Sequence, residues 1–314
     1  MAKYRTDLPQ LAQSTFMTDG GLETTLIFKE GINLPHFASF DLLKNKEGRK
    51  ILKDYYQTYL DISKQKCGGF ILEAPTWRAN PDWAKKIGYS IESLDRINRV
   101  AIQELEDIRS NYEHEDFRIP ISGCIGPRGD GYSPEYKMSR IQAEEYHAFQ
   151  IRTFADTNAD LVSAQTLNYN DEAIGIVNAA KNNDIPVVIS YTVEIDGRLP
   201  SGESLAQAIT SLDKITDNYT TYFMINCAHP NHFAHVLQAN GSWTRRIKGI
   251  RANASVKSHA QLDESETLDE GNKEELALGY KNLKSLLPNL NIIGGCCGTD
   301  HTHMEEICAL WFKK

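Results

Sequence analysis

The sequence has little that would direct the chain to a membrane or to nucleic acid. It lacks any run of about eighteen apolar residues, so no transmembrane helix is expected. Its formal net charge is −8 and it has no cluster of Lys and Arg, so we expect no nucleic-acid partner. Residues 1–15 lack the apolar core of a signal peptide, and we therefore expect a cytoplasmic protein.

Cysteine is also scarce, with 6 among 314 residues. In a reducing compartment, so few cysteines are typical of free thiols, metal ligands or catalytic groups rather than of a disulfide framework. Two of them, Cys296 and Cys297, are adjacent and lie between glycines in "NIIGGCCGTDHTH", residues 291–303. Adjacent cysteines are poor disulfide partners for each other, because closing the bond forces an unfavourable peptide geometry.

Strand-like and helix-like patterns alternate along the whole chain. Helical spacing of apolar residues predicts helices at 46–66, 90–112 and 302–312, the last with a capping box of Thr302 and Glu305. The apolar runs of strand length are 14–21, 69–75, 117–124, 159–166, 185–193, 221–228, 247–255 and 290–297. Eight units of this kind predict an α/β fold with a single (β/α)8 TIM-type barrel domain over residues 1–314. A doubly wound sheet is less consistent, because the first strand-turn lacks a G-x-G-x-x-G motif.

The residue types that can bind a metal or a substrate lie at the carboxyl ends of these runs, where barrel active sites are found. The last run ends in Cys296 and Cys297, and the sixth ends in Cys227. Three converging thiolates would hold zinc and leave one tetrahedral position open, as in a catalytic site. Gly294, Gly295 and Gly298 would allow the sharp turn that brings two neighbouring side chains to one ion.

These motifs resemble the homocysteine S-methyltransferase family. The resemblance rests on Asn226-Cys227, on Gly294-Gly295-Cys296-Cys297-Gly298 and on the opening Asp19-Gly20-Gly21, in this order and over almost the whole chain. It implies a (β/α)8 barrel and one zinc ion per chain, held by Cys227, Cys296 and Cys297. It also implies two small-molecule partners, a thiol acceptor and a methyl donor.

The resemblance implies transfer of a methyl group to the thiol of homocysteine, which gives methionine. The donor would be S-methylmethionine, S-adenosylmethionine or betaine. Zinc would convert the acceptor thiol to the nucleophilic thiolate, and the transfer then needs positioning more than acid-base catalysis. We expect the substrates to contact Asp19, Gly20, Gly21, Glu73, Gln165 and Asn226.

The sequence departs from the family pattern at two places. Gln165 stands where a glutamate commonly helps to hold the amino group of the acceptor, and Thr76-Trp77-Arg78-Ala79-Asn80 stands where the family often has Thr-Tyr-Gln-Ala-Ser. Neither change affects the predicted zinc chemistry. Both leave the identity of the acceptor, and of the donor, open.

Other candidate residues have simpler interpretations. We expect Cys67 and Cys308 to be packing residues, Cys124 to have no assigned role, and His301 and His303 to shape a helix start. For His229, His232 and His235 we expect a solvated helix face. The glycine-rich segment 123–136 would be a long loop, a lid or an anion-binding loop, and the acidic segment 262–275 a solvated loop leading into a helix.

Three other functions use the same residues. The first is the same transfer to a different small thiol, and the second is a zinc hydrolase, although an all-thiolate site is a poor Lewis acid. The third is a redox sensor without turnover that uses Cys296 and Cys297, which would leave Cys227 and Asp19 unexplained. The oligomeric state cannot be read from the sequence.

Overall fold

A ring of parallel strands forms the centre of the protein, as the computed structural model shows for residues 2–134, 136–239, 241–265 and 267–313. The strands are β1 (Phe16–Met17), β2 (Gly69–Phe70), β3 (Leu72–Glu73), β4 (Ile121–Ile125), β5 (Leu161–Leu167), β6 (Val187–Tyr191), β7 (Tyr222–Asn226), β8 (Ile247–Ala252) and β9 (Ile292–Gly295). Neighbours pair in the order β2-β1-β9-β8-β7-β6-β5-β4-β3. Only Ile71 separates β2 from β3, so the two form one barrel strand and close the ring.

The predicted (β/α)8 barrel is therefore confirmed, and each of the eight apolar runs overlaps one barrel strand. Most strands are shorter than the runs, which extend beyond the ladder at one or both ends. The strands other than β8 are buried throughout, since each is covered on both faces.

Helices surround the ring and separate the strands in the chain. They are α1 (Leu22–Thr24), α2 (Lys46–Lys64), α3 (Pro81–Lys86), α4 (Ile91–Tyr112), α5 (Arg140–Ala155), α6 (Asn170–Lys181), α7 (Leu205–Ile215), α8 (Pro230–Leu237), α9 (His259–Asp263), α10 (Lys273–Leu286) and α11 (His301–Trp311). A π-helical turn, Thr25–Lys29, continues α1, and short 3-10 helices cover Pro9–Leu11, Pro35–Phe37, Ser39–Lys44 and Ser242–Arg246. Among the described residues, no helix combines the length and apolar character needed to span a bilayer.

The three helices predicted from apolar spacing are present as α2, α4 and α11. Asn45 and Ser90 cap α2 and α4 by accepting hydrogen bonds from backbone N–H groups of the first turn. The predicted cap of α11 is wrong, because Asp300 and His303 form the capping box instead of Thr302 and Glu305. The helix starts at His301, which brings Asp300 into the cap position.

The barrel interior is filled below the carboxyl ends of the strands. A small apolar cluster lies there, separate from the main core between the strands and the helices, and it consists of Leu8, Phe16, Ile71, Leu161, Val188, Tyr222, Met224 and Ile292. Leu8 belongs to the amino-terminal segment, which Asn291 holds by donating from Nδ2 to the carbonyls of Gln10, Ala12 and Ser14. This segment closes the amino end of the barrel, and the carboxyl end stays open.

Candidate active site

The three predicted metal ligands meet at the open end of the barrel. Cys227 follows β7, and Cys296 and Cys297 follow β9, and their sulfur atoms all lie within 4.8 Å of one another. The Cys227 and Cys297 sulfurs are 4.0 Å apart, close to the spacing of about 3.8 Å that two thiolates have on a tetrahedral zinc ion. Cys227 and Cys296 are joined as a disulfide in this structure, so three thiolates are available only in reduced protein.

Local backbone geometry aims these cysteines at one point. Cys227 has a positive φ of 53°, and Gly298, with a φ of 80°, turns the chain after the cysteine pair. The prediction that Gly294 and Gly295 also serve the turn is wrong, since both lie in β9 without positive φ. A Cβ on Gly294 would collide with Thr18, and one on Gly295 with Thr299, so these glycines allow β9 to pack closely on its neighbours.

Hydroxyl and amide groups surround the sulfur atoms. The hydroxyls of Thr166 and Tyr132 lie 3.8 Å from the Cys227 sulfur and 3.7 Å from the Cys297 sulfur, respectively. Burial raises the pKa of the Cys297 thiol, so a cation is needed to favour its thiolate at neutral pH. The cluster is therefore suited to hold a metal ion of the kind that prefers thiolates.

A cavity of about 680 Å³ opens beside the cysteines and contains the predicted substrate residues. The lining includes the three cysteines and all six predicted contacts, Asp19, Gly20, Gly21, Glu73, Gln165 and Asn226. Residues from distant parts of the chain therefore reach one enclosed volume, as expected at the carboxyl ends of barrel strands.

Asp19 is not a free carboxylate in this cavity. Its Oδ1 accepts a hydrogen bond from Arg251 Nη2 at 2.8 Å, and its Oδ2 accepts one from the Tyr55 hydroxyl at 3.2 Å. Burial raises the pKa of Asp19, while Arg251 and Tyr55 oppose that rise. We did not predict Arg251 from the sequence, although a charged residue inside the apolar run 247–255 is a signal that could have identified it.

Two further carboxylates line the cavity. Glu73 accepts a hydrogen bond from the Ser163 hydroxyl, and Glu23, which the sequence analysis missed, accepts one from the Ser39 hydroxyl at 2.7 Å. Burial raises the pKa of both glutamates. A cationic ligand placed among these groups would favour their charged forms.

Asn226 is fully occupied by hydrogen bonds within the protein. Its Oδ1 accepts from the backbone N–H of Thr166 at 2.9 Å and from the Ser190 hydroxyl at 2.6 Å. Its Nδ2 donates to the Thr166 hydroxyl at 2.8 Å and lies 3.9 Å from the Cys296 sulfur. The residue thus holds β5, β6 and the cysteine cluster together.

Unlike Asn226, Gln165 has a side-chain amide without hydrogen-bond partners in the described part of the chain. Its side chain is buried and lines the cavity, yet neither amide atom has a hydrogen-bond partner among the residues that the structure describes. An unsatisfied buried amide costs free energy on the order of 1–3 kcal/mol, which a ligand can recover. The departure from the family pattern at this position therefore faces the cavity.

The structure also places the remaining cysteines and histidines that the sequence singled out. Cys67 and Cys308 are buried packing residues as predicted, and His303 caps α11. Cys124, without an assigned role from the sequence, lines the cavity. The solvated face predicted for the histidines of α8 is wrong for His229 and His232, which are buried, with His232 Nε2 2.8 Å from the carbonyl oxygen of Val256. Apolar spacing could not reveal that the loop after β8 covers this side of the helix.

The two long loops reach over the site. Within 123–136, of which residue 135 lies outside the described residues, Tyr132 stacks on His259 with ring centroids 4.0 Å apart and lines the cavity together with Asp130. Within the acidic segment 262–275, described without residue 266, Leu262, Asp263 and Asp269 also line the cavity. That segment leads into α10 as predicted, but its first half is part of the site wall rather than a solvated loop.

Comparison with known proteins identifies a family to which this chain is similar. The sequence profile described as homocysteine S-methyltransferase matches residues 16–311. Homocysteine S-methyltransferase 1 from Arabidopsis thaliana is 24% identical over 324 residues, which cover 96% of this chain and 94% of that protein. Homocysteine S-methyltransferase 2 from Saccharomyces cerevisiae is 25% identical over 279 residues, which cover 85% of this chain and 82% of that protein.

A solved structure supports the same fold. The metallated form of the homocysteine methyltransferase MmuM from Escherichia coli matches with a TM-score of 0.76 at 17% identity, over 98% of this chain and 99% of that one. The family profile extends from β1 to α11 and includes all three cysteines of the cluster. The chain therefore belongs to the homocysteine S-methyltransferase family and is a methyltransferase.

Proposed function

We propose that this enzyme transfers a methyl group from a sulfonium or ammonium donor to the thiol of homocysteine, giving methionine, with one zinc ion held by Cys227, Cys296 and Cys297. The observation that carries the proposal is the convergence of three sulfur atoms within 4.8 Å at the mouth of a family barrel. A zinc ion bound there would favour the nucleophilic thiolate form of the acceptor at neutral pH.

The donor set fits zinc better than other common ions. Soft thiolates select zinc, copper(I) or iron-sulfur clusters over magnesium and calcium, and three protein ligands leave a position for the acceptor. The hydroxyl of Tyr132 and the amide of Asn226 lie near Cys297 and Cys296, where they can donate to thiolate sulfur and hold each ligand in place.

The acidic part of the cavity suits the ammonium group of homocysteine. Asp19, Glu23 and Glu73 offer three carboxylates, and the Arg251 guanidinium pairs with Asp19, which leaves two carboxylates to face one ammonium group. Gly20 and Gly21 line the cavity here, and the Gly20 carbonyl oxygen accepts a hydrogen bond from Arg251 Nη2 at 3.2 Å. We assign Gln165 to substrate binding and Asn226 to positioning the cysteine cluster.

The test combines metal analysis with product formation. Reduced protein should contain about one zinc per chain and form methionine from homocysteine with at least one of S-methylmethionine, S-adenosylmethionine and betaine. Cys227→Ser, Cys296→Ser and Cys297→Ser should each lower metal retention and reduce turnover by about 10³-fold or more, while the circular dichroism spectrum stays close to that of the native protein.

Cys308→Ser is the matched control, because Cys308 is buried against Met17 away from the cavity. It should keep both zinc and activity. Full zinc occupancy in all three ligand variants would contradict the metal assignment. Reversible thiol oxidation without turnover on any donor would instead favour a redox sensor.

A further inference from the structure

The two departures from the family pattern meet in the structure. The indole Nε1 of Trp77 donates to the backbone oxygen of Gln165 at 3.2 Å. The guanidinium carbon of Arg78 lies 4.1 Å from the ring centroid of Trp77 and 3.8 Å from that of Trp83. All four residues line the cavity, so positions 77, 78 and 165 belong to one wall of it.

Arg78 is a buried cation without an anionic partner. Its side chain donates from Nη1 to the backbone oxygen of Gly129 at 3.0 Å, and the residue is only 8% exposed. In the described part of the chain, no carboxylate forms an ion pair with it, although Asp130 and Glu23 attract its charge from further away, and its Nε has no acceptor. Burial lowers the pKa of Arg78 to about 10, so the group is still charged at neutral pH. An unpaired buried charge is costly, and an anion in the cavity would offset the cost.

Gln165 adds a second unsatisfied group to the same wall. It is 5% exposed, and its amide nitrogen and oxygen both lack partners among the described residues. The amide N–H₂ can donate to a carboxylate oxygen in the cavity, as the guanidinium can. The wall therefore offers hydrogen-bond donors to a planar anion.

The two departures change the charge of this wall in the same direction. A glutamine in place of the usual glutamate at position 165 removes one negative charge, and an arginine in place of the usual glutamine at position 78 adds one positive charge. The wall is thus two units more positive than the family pattern would make it. It therefore suits an anion better than the family pattern would.

We propose that Arg78, together with the Gln165 amide, binds the carboxylate of a substrate and selects substrates that carry one there. The inference rests on the proposed methyl transfer. The carboxylate comes from the acceptor amino acid or from the methyl donor, because homocysteine, S-methylmethionine, S-adenosylmethionine and betaine each contain this group. Arginine suits this role, because its planar fork matches the two oxygens of a carboxylate.

Calorimetric titration of the intact zinc-loaded enzyme provides the first test. Homocysteine and its carboxamide are compared, and then S-methylmethionine and its carboxamide, each on native enzyme and on Arg78→Gln. For the substrate whose carboxylate occupies the wall, native enzyme should bind the acid at least about tenfold more tightly than the amide, and Arg78→Gln should abolish this preference. Binding of the acceptor needs no methyl transfer, so a failure of the proposed reaction would leave this result readable.

Initial rates then identify the source of the carboxylate. A rise of about tenfold or more in the KM of homocysteine alone assigns the wall to the acceptor, and the same rise for the donor alone assigns it to the donor. Arg78→Lys should recover part of the preference, because lysine keeps the charge without the fork. Gln165→Glu should weaken binding of the acid, because the introduced carboxylate would repel the carboxylate of the ligand.

Arg128→Gln is the matched control. Arg128 lies in the loop after β4, next to the Gly129 carbonyl that Arg78 contacts, but it pairs with Asp82 at 2.7 Å and does not line the cavity, so its loss should leave the preference for acid over amide unchanged. The proposal is overturned if Arg78→Gln retains the native preference for both substrates. It is also overturned if acid and amide weaken equally, which would mean that Arg78 only supports the wall.

Discussion

Each end of the barrel contains a buried aspartate paired with an arginine, but the surroundings of the two aspartates differ. At the closed end, Asp160 directly precedes β5 and is fully satisfied by the protein. Its Oδ2 accepts from Arg109 Nη1 at 2.9 Å and from the backbone N–H of Ile121 at 2.8 Å, and its Oδ1 accepts from the backbone N–H of Tyr4 at 2.6 Å. These bonds tie the amino-terminal segment, α4 and β4 to one carboxylate.

At the open end, Asp19 pairs with Arg251 but faces a cavity that contains groups without partners. Gln165 and Arg78 keep unsatisfied hydrogen-bonding atoms there, and the pKa values of Glu23 and Glu73 are raised by burial. At the closed end the polar groups bond to each other and stabilise the fold. At the open end several polar groups lack partners and can bind a ligand. The same chemical pair, Asp with Arg, therefore serves different ends of one fold.

The largest expected effect is a loss of folding stability when the ion pair at the closed end is removed. Arg109→Met leaves the Asp160 carboxylate buried without its cation, which should lower the free energy of unfolding by about 3–5 kcal/mol at pH 7. Urea unfolding followed by circular dichroism measures this loss, and kcat/KM of the folded variant should stay within about twofold of native. A variant that keeps its stability and loses activity would contradict the division between the two ends.

The same variant should have a distinctive pH dependence. Burial raises the pKa of Asp160, and Arg109 and the two backbone N–H groups oppose this rise. Without Arg109 the folded-state pKa rises further above the unfolded value, so over the pH interval between these two values the folded variant holds a proton that the unfolded chain does not. Its deficit relative to the native protein should shrink as the pH falls through that interval.

A smaller effect is expected from Asp19→Asn at the open end. If Asp19 binds the ammonium group of the acceptor, the KM for homocysteine should rise about tenfold or more, on the order of 1.5–3 kcal/mol for a bond to a charged group. The free energy of unfolding should fall less than in Arg109→Met, because the cavity admits water to Arg251.

The pH profile of the acceptor KM provides a further check. Burial raises the pKa of Asp19, so the native KM should increase as the pH falls through the folded-state pKa and the carboxylate is protonated. Asp19→Asn should lose this component of the profile. An identical profile in both proteins would exclude Asp19 as the titrating group.

The smallest expected effect concerns the loop over the cysteines. Tyr132→Phe removes the hydroxyl that lies 3.7 Å from the Cys297 sulfur but keeps the ring that stacks on His259. The loss of one hydrogen bond, about 1 kcal/mol, predicts a fall in kcat of roughly fivefold with zinc content unchanged. A drop in zinc content instead would mean that the hydroxyl helps to retain the metal.

Much of the fold and of the metal cluster could be predicted from the sequence, because their signals are local. Apolar runs separated by helical patterns indicated a barrel, and the cysteine motifs with their flanking residues identified the cluster. Boundaries were less certain: the cap of α11 shifted from Thr302 to Asp300, and the runs extended beyond the strands. Local patterns do not show where a chain leaves the ladder.

The partners of individual side chains could not be predicted. Arg251 was missed because its role depends on Asp19, which lies far away in the chain and comes next to it only when β8 and β1 both pair with β9. Burial of His229 and His232 depends on the loop after β8, and the cavity wall at Asp263 depends on how its segment returns over the mouth.

The sequence by itself determined the barrel order, the family motifs and the chemical identity of three thiols, since each depends on residues close together in the chain or on a repeated pattern. Only the tertiary structure decided that Gln165 and Arg78 share one wall with Trp77 between them, that Asp19 is paired, and that Asn226 is occupied. Closing the ring brings side chains from different strands to one mouth. Their hydrogen bonds and charges then depend on distances that no local pattern contains.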